Sequence, residues 1–244
     1  MTARPDVWLQ CTVAHGDPRQ RLVCFPHAGG SASFFRDWGR HLTDMEVHAV
    51  RYPGRAERLD EPPPDDLARL GREIAAALLP IADRPIALFG HSLGAVVALE
   101  TARSLEAAGV APAHLFASGA RHAPYPGPPP EDSDDDDDTT ASRLAALGGT
   151  DPELAADPLF QELVLPYIRS DGRMFHAYGH RAEPVLSCPV TSIVGDADVD
   201  ADRRPWAELT GGTFQERNVR GDHFYLVAEP PYQLVRECLG LATR

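Results

Sequence analysis

Short apolar runs alternate along this chain with longer stretches whose apolar residues recur at helical spacing. RLVCFP (21–26), EVHAVR (46–51), PIALFG (85–90), AHLFASG (113–119), PVTSIVG (189–195) and TFQERNV (213–219) have the length and bounding turn residues of strands. Between or after them, 34–42, 65–82, 93–109, 201–210 and 231–242 read as helices. VWLQCTV (7–13) adds an expected antiparallel strand at an edge. Strand and helix in alternation predict an α/β fold, a mostly parallel sheet with helices on both faces.

One stretch breaks that rhythm. From about 125 to 183 no good strand pattern occurs. PYPGPPP (124–130) and EDSDDDDD (131–138) come first, and proline with like charges argues against a packed element, so 124–140 reads as a solvated loop. Three helical stretches follow: 139–148, 151–157 and 158–179, the last expected to be interrupted at Pro166. A helical insertion between two strands belongs at the carboxyl ends of an open sheet, where ligands bind. The expectation is one domain, 1–244, carrying a helical lid at about 125–183.

Chemistry concentrates in ALFGHSLGAVVALE (87–100), where an apolar run gives way to a helical pattern. Ser92 stands between Gly90 and Gly94 in a G-x-S-x-G arrangement. On a tight strand-to-helix turn such a serine is lifted above the sheet, and the flanking glycines let strand and helix pass closely. A serine hydroxyl is a weak nucleophile at neutral pH. It needs a base, a group to orient that base, and donors for the developing oxyanion.

His223, in RGDHFYL (220–226) after the last expected strand, is best placed to be the base. His27 and His91 compete, although His91 adjoins Ser92 and its ring is expected to point elsewhere; His176 and His180 read as surface groups. The orienting acid is sought in IVGDADVDADRR (193–204), where Asp198 is preferred, Asp196 is second, and Asp200 and Asp202 are also on offer. Asp222 is too close in sequence to His223 to reach its ring. The order serine, aspartate, histidine is that of α/β-hydrolases. Leu93, which opens the helix after Ser92, and Ala28, in the glycine-rich loop CFPHAGGSASFF (24–35), are the expected backbone oxyanion donors.

Composition narrows the alternatives. All 23 basic residues are arginine, which excludes Schiff-base chemistry and a Walker-type lysine. The net charge of −13 argues against nucleic acid as a partner. Four widely spaced cysteines, Cys11, Cys24, Cys188 and Cys238, read as reduced thiols in a cytoplasmic protein and not as a zinc site. No apolar run is long enough to span a membrane, and the first residues lack the apolar core of a signal peptide.

LVCFPHAGGSASFFRDW, VHAVRYPGRAERLDEPP, ALFGHSLGAVVALETARSLEAAG, LFASGARHAP, LAALGGTDPEL and GDHFYL together resemble the successive signatures of type II thioesterases, the free-standing editing hydrolases of polyketide and nonribosomal peptide synthases. The resemblance runs from about residue 20 to 230 and departs from the family at Leu93, where methionine is usual, at the acidic run 131–138, and in GDADVD, which lacks the proline often found after the second acid. It implies an α/β-hydrolase fold and a Ser92, Asp198, His223 triad. Ala28 and Leu93 would be the oxyanion donors. The implied reaction is hydrolysis of acyl thioesters on the phosphopantetheine arm of carrier proteins through an acyl-serine, with no metal or cofactor of the enzyme's own. Phe160, Tyr167, Phe175 and Tyr178 of the lid are candidates for the acyl channel, with helix-core packing as the other reading. Carriers are usually acidic, so Arg51, Arg55 and Arg58 are candidates for docking one, against the alternative that Arg55 and Arg58 tie down their own loop. The rival expectations are a chain-releasing fatty acyl thioesterase or carboxylesterase on the same fold, and a carrier-binding scaffold with an idle triad. A monomer is the default oligomeric state.

Overall fold

A computed structural model describes residues 5–120, 153, 156–178, 183–198 and 204–241. The acidic run and the expected helices at 139–148 and 151–157 lie essentially outside them. So do the LGGT segment, His180, Asp200 and Asp202.

Seven strands form one sheet in the order β1-β3-β2-β4-β5-β6-β7. They are β1 (Leu9–Val13), β2 (Gln20–Phe25), β3 (Met45–Val50), β4 (Ile86–His91), β5 (His114–Ser118), β6 (Val190–Gly195) and β7 (Phe214–Val219). β1 runs antiparallel to β3, and every other pairing is parallel. Among the described residues the helices are α1 (Pro5–Trp8), α2 (Trp38–His41), α3 (Leu67–Leu78), α4 (Leu93–Ala107), α5 (Pro158–Tyr178), α6 (Arg204–Glu208), α7 (Tyr225–Ala228) and α8 (Tyr232–Cys238).

The central strands are buried on both faces, which explains why they read as continuous apolar runs. Successive side chains still divide between two cores, as a period of two requires. Leu22, Cys24, Ala87 and Phe89 point to one side, where they meet Phe35, Trp38 and Val235. Val23, Phe25 and Leu88 point to the other, where Leu70, Ile74 and Leu78 of α3 and the apolar face of α4 cover them. α3 packs close enough on α4 that a Cβ at Gly71 would sit 2.6 Å from Glu100 Cβ.

Two expected helices differ in form. Residues 34–42 are a 3₁₀ turn at Ala32–Phe35 followed by the single turn of α2, which lies against β1, where Gly39 leaves no room for a Cβ beside Thr12. Pro166 does not interrupt α5, which runs unbroken for 21 residues. Proline forfeits one i→i−4 hydrogen bond, but Glu162 and Pro166 are on the exposed side, where water can serve the freed carbonyl.

From β2 the chain crosses to β3 on one side, then returns to β4 on the other. That reversal opens a crevice at the carboxyl ends of β2 and β4. The loop holding Ala28 and the turn holding Ser92 both border it.

Candidate active site

Ser92 follows directly on β4 and precedes the first residue of α4. Its backbone is at φ 54°, ψ −124°, a conformation that non-glycine residues seldom hold. The turn is pinned by the Ser92 N–H, which donates to Ser118 O at 2.8 Å. Gly90 and Gly94 make the close approach feasible. A Cβ at Gly90 would overlap Gly94 O, and one at Gly94 would lie 2.5 Å from Pro26 O and overlap Phe25 O. Leu93, at the first position of α4, belongs to the turn whose N–H groups lack intrahelical acceptors.

His223 and Asp198 are in direct contact. Nδ1 of His223 lies 3.0 Å from Oδ2 of Asp198, and both side chains are buried. With Nδ1–H donated to a carboxylate, the other ring nitrogen, Nε2, carries the lone pair. Two loops are laced together to bring this about: Ala197 N–H donates to Gly221 O, and Gly221 N–H donates to Asp196 Oδ1, both at 2.9 Å. Asp196 is therefore the tie between the loops, while Asp198 meets the ring. Asp222 accepts from Phe224 N–H two residues on, a local turn bond.

Gly119, at the end of β5, shapes the corner where these groups meet. It holds φ 51°, and a Cβ there would stand 2.7 Å from His91 Cε1 and 3.4 Å from Asp198 Oδ2. His91 and His223 are 5.1 Å apart, ring centre to ring centre. His91 Nδ1 bonds Ser118 Oγ at 2.9 Å, and Ser118 Oγ in turn bonds the Tyr225 hydroxyl at 2.7 Å. Burial, then the repulsion an imidazolium here would meet from His223 and His27 were they also charged, pushes the His91 imidazole well below its ordinary pKa. His27 packs edge-on against Phe34 and Phe224, and burial, followed by His223 and Arg55, lowers it to about 3. Both rings are neutral at pH 7.

The loop after β2 is held from two directions. Gly30 N–H donates back to His27 O at 2.9 Å. Gly29 N–H donates to Asp171 Oδ2 of α5 at 2.8 Å. Ala28, half-buried, lies between.

Two of the arginines expected on a docking face are not on one. Arg55 is 2% exposed and pairs with Asp171, and Arg58 is 8% exposed. Arg58 donates to Arg51 O and Glu61 and lies 4.1 Å over the Trp8 ring, so it braces its own loop. Arg51 is half-buried and donates to Asp6 O. The aromatics expected in a lid divide. Phe175 packs against the α3–α4 core, and the Tyr178 hydroxyl donates to Glu100 Oε1 at 2.7 Å, so these two serve packing. Tyr167 lies against the Arg55 guanidinium at 4.9 Å, and Phe160 is half-buried near the start of α5.

Sequence reasoning passed over Asp171, Gly119 and the His91–Ser118–Tyr225 chain. Asp171 did leave a signal, a lone acid in the apolar stripe Leu165, Ile168, Met174, Phe175, Tyr178. Among the described residues, Cys11, Glu46 and His48 also come within 4.8 Å of one another, at the β1–β3 edge. Glu46 Oε2 already accepts from Arg21 and His48, and the guanidinium there opposes a cation.

The arrangement can activate a hydroxyl against an acyl carbon: a strained serine at a helix start, an imidazole set by a carboxylate, and glycine-loop amides across the crevice. The thioesterase domain family matches residues 20–240. Thioesterase PikA5 of Streptomyces venezuelae is 39% identical over 93% of this chain and 84% of its own. The medium-chain S-acyl fatty acid synthase thioesterase of Rattus norvegicus is 35% identical over 96% and 94%. The solved structure of the type II thioesterase BorB, from the borrelidin biosynthetic cluster, superposes with a TM-score of 0.85 at 34% identity, covering 96% of this chain and 98% of BorB. None of the helices among the described residues is long and apolar enough to cross a membrane. With that fold and those relatives, the chain belongs to the thioesterase family, as a thioester hydrolase on the α/β-hydrolase fold.

Proposed function

We propose that this protein is an editing thioesterase that clears stalled or aberrant acyl groups from the phosphopantetheine arm of acyl or peptidyl carrier proteins. Ser92 Oγ attacks the thioester carbonyl as His223 Nε2 takes its proton. Asp198 holds the imidazole in the required tautomer and stabilises the imidazolium. The oxyanion is met by the N–H groups of Leu93 and Ala28. Collapse expels the pantetheine thiol, protonated by His223, and leaves an acyl-serine. Water, deprotonated by the same imidazole, then releases the acid and restores Ser92. These steps draw on no metal or redox group of the enzyme, and the pantetheine arrives with the substrate. The chain acts as one domain, a cytoplasmic monomer, with α5 as part of the cover over the site.

The observation that carries this reading is the 3.0 Å contact between His223 Nδ1 and Asp198 Oδ2, in a thioesterase chain whose Ser92 holds φ 54°. A mass-spectrometric assay on carriers loaded with a panel of acyl groups tests it. Broad hydrolysis that Ser92→Ala abolishes is the expected result. Unchanged hydrolysis by Ser92→Ala would refute the serine mechanism, and a parent inactive on every carrier would favour a scaffold. The 35% identity to a medium-chain fatty acid synthase enzyme favours chain release as the second reading. A strong preference for one finished chain length in the same assay would select it.

A further inference from the structure

Arg55 and Asp171 form a buried ion pair between the loop after β3 and the middle of α5. Arg55 Nη1 lies 2.7 Å from Asp171 Oδ2, and Nη2 lies 2.6 Å from Oδ1. Asp171 is 1% exposed. The guanidinium stands 5.3 Å from the Tyr52 ring centre and 4.9 Å from that of Tyr167. Burial alone would disfavour its charge, but the hydrogen bonds and charge of Asp171 outweigh burial and hold it protonated.

The pair does more than hold α5 down. Asp171 Oδ2 accepts the Gly29 N–H, and Arg55 Nη1 donates to Gly30 O at 3.3 Å. One helical turn before Asp171, Ile168 covers Gly29, its Cδ1 2.8 Å from where a Cβ would stand. The Ala28–Gly29 peptide is thus fixed from Asp171 on α5, and the Gly30–Ser31 peptide from Arg55. Ala28, the next residue back, inherits its orientation from them. A buried ion pair is a costly way to attach a helix, and apolar residues of similar volume usually do as well or better. A two-oxygen acceptor that meets a planar fork and a backbone amide at once does what apolar packing cannot, which is to set an angle.

We infer that Asp171, locked by Arg55, is a positioning residue for thioester hydrolysis: it aims the Ala28 N–H from α5, so that the helix and the glycine loop move as one piece. This rests on the assignment of Ala28 as an oxyanion donor. It also makes α5 a fixed wall of the site, since lifting it would uncover two charges.

The test uses Asp171→Asn, the double variant Arg55→Met/Asp171→Leu, and Ser92→Ala as control. Each is assayed on short-chain acyl-N-acetylcysteamine thioesters and for affinity to an alkyl boronic acid, which forms a tetrahedral adduct on an active serine. The double variant removes both charges together, so its melting temperature should stay within a few degrees of the parent. Its kcat should fall about 100-fold, the order expected when one oxyanion donor is misplaced, while KM stays within about threefold. Boronate affinity should fall in step with kcat. Asp171→Asn keeps an acceptor for Gly29 N–H and should fall less, about 10-fold in kcat, measured well below its own unfolding midpoint. If either variant, folded, keeps kcat within threefold of the parent, or loses activity through KM alone, the inference is overturned. If instead Ser92→Ala hydrolyses like the parent, the nucleophile assignment has failed, a result separable from the first.

Discussion

Replacing Ser92 by glycine should leave the protein more stable than replacing it by alanine. The observed φ 54°, ψ −124° is near the first central position of a type II′ turn, where glycine dominates because a Cβ crowds the backbone. Holding an L-residue in such a region costs about 1–3 kcal/mol. Alanine keeps the Cβ and the strain. Glycine releases the strain but gives the unfolded chain more freedom, worth about 0.5–1 kcal/mol against it. The balance favours glycine by about 1 kcal/mol, or about 2–4 °C in melting temperature for a chain of this size. Both variants lack Oγ and both keep the Ser92 backbone donor to Ser118 O, so the comparison isolates the backbone. Calorimetry and urea unfolding at pH 7 measure it. At an unstrained position glycine would be the less stable by about 0.5–1 kcal/mol. A glycine variant that melts below the alanine variant would therefore refute the claim that packing holds this turn under strain.

Gly94→Ala should cost about 3 kcal/mol and most of the activity, because the new Cβ would stand about 2.5 Å from Pro26 O, just past β2 where the glycine loop begins; denaturant titration beside an ester assay reads both. Arg58→Glu should lower stability by about 2–3 kcal/mol through lost hydrogen bonds and its stack on Trp8, while the salt dependence of carrier hydrolysis stays as in the parent. Burial lowers His114 from 6.5 to about 4. Between those values the unfolded chain takes up a proton that the native state refuses, so stability falls as pH drops from 6.5 towards 4. His114→Gln, whose amide can take the place of Nε2 against Thr191, should make that acid limb shallower by up to about 1.4 kcal/mol per pH unit, as read from urea midpoints across the range.

How much of this was legible in the sequence follows from how local each cause is. The central strands were readable within a few residues because burial on both faces writes itself as an uninterrupted apolar run. The turn at Ser92 was readable because its two glycines answer to contacts of the adjoining strand and helix. Asp198 was already preferred to Asp196 in the sequence, but the physical reason lies in the third dimension: both sit on the same loop, and only the lacing to Gly221 separates the residue that braces from the one that meets His223. Whether Arg55 docks a partner or ties down a loop was left open for the same reason. In RYPGRAER it looks like one of several solvated cations, and its burial depends on an aspartate 116 residues away.

That distant aspartate and the two neutral histidines address one electrostatic problem. On the proposed mechanism a positive charge appears on His223 at each turnover, with the His91 ring 5.1 Å away. A second full charge at that distance would oppose it by about 3 kcal/mol at an effective dielectric of 20, roughly a hundredfold in rate. Burial prevents this by keeping His91, and His27 with a pKa of about 3, without charge. The Arg55 guanidinium is a permanent cation bordering the same glycine loop, and its field would raise the same objection. Asp171 meets it with both carboxylate oxygens, which leaves the pair nearly neutral when seen from His223. The ion pair that sets the Gly29 peptide therefore also keeps the cost of forming the imidazolium low, and substituting Arg55 and Asp171 together removes the positioning without introducing a new charge.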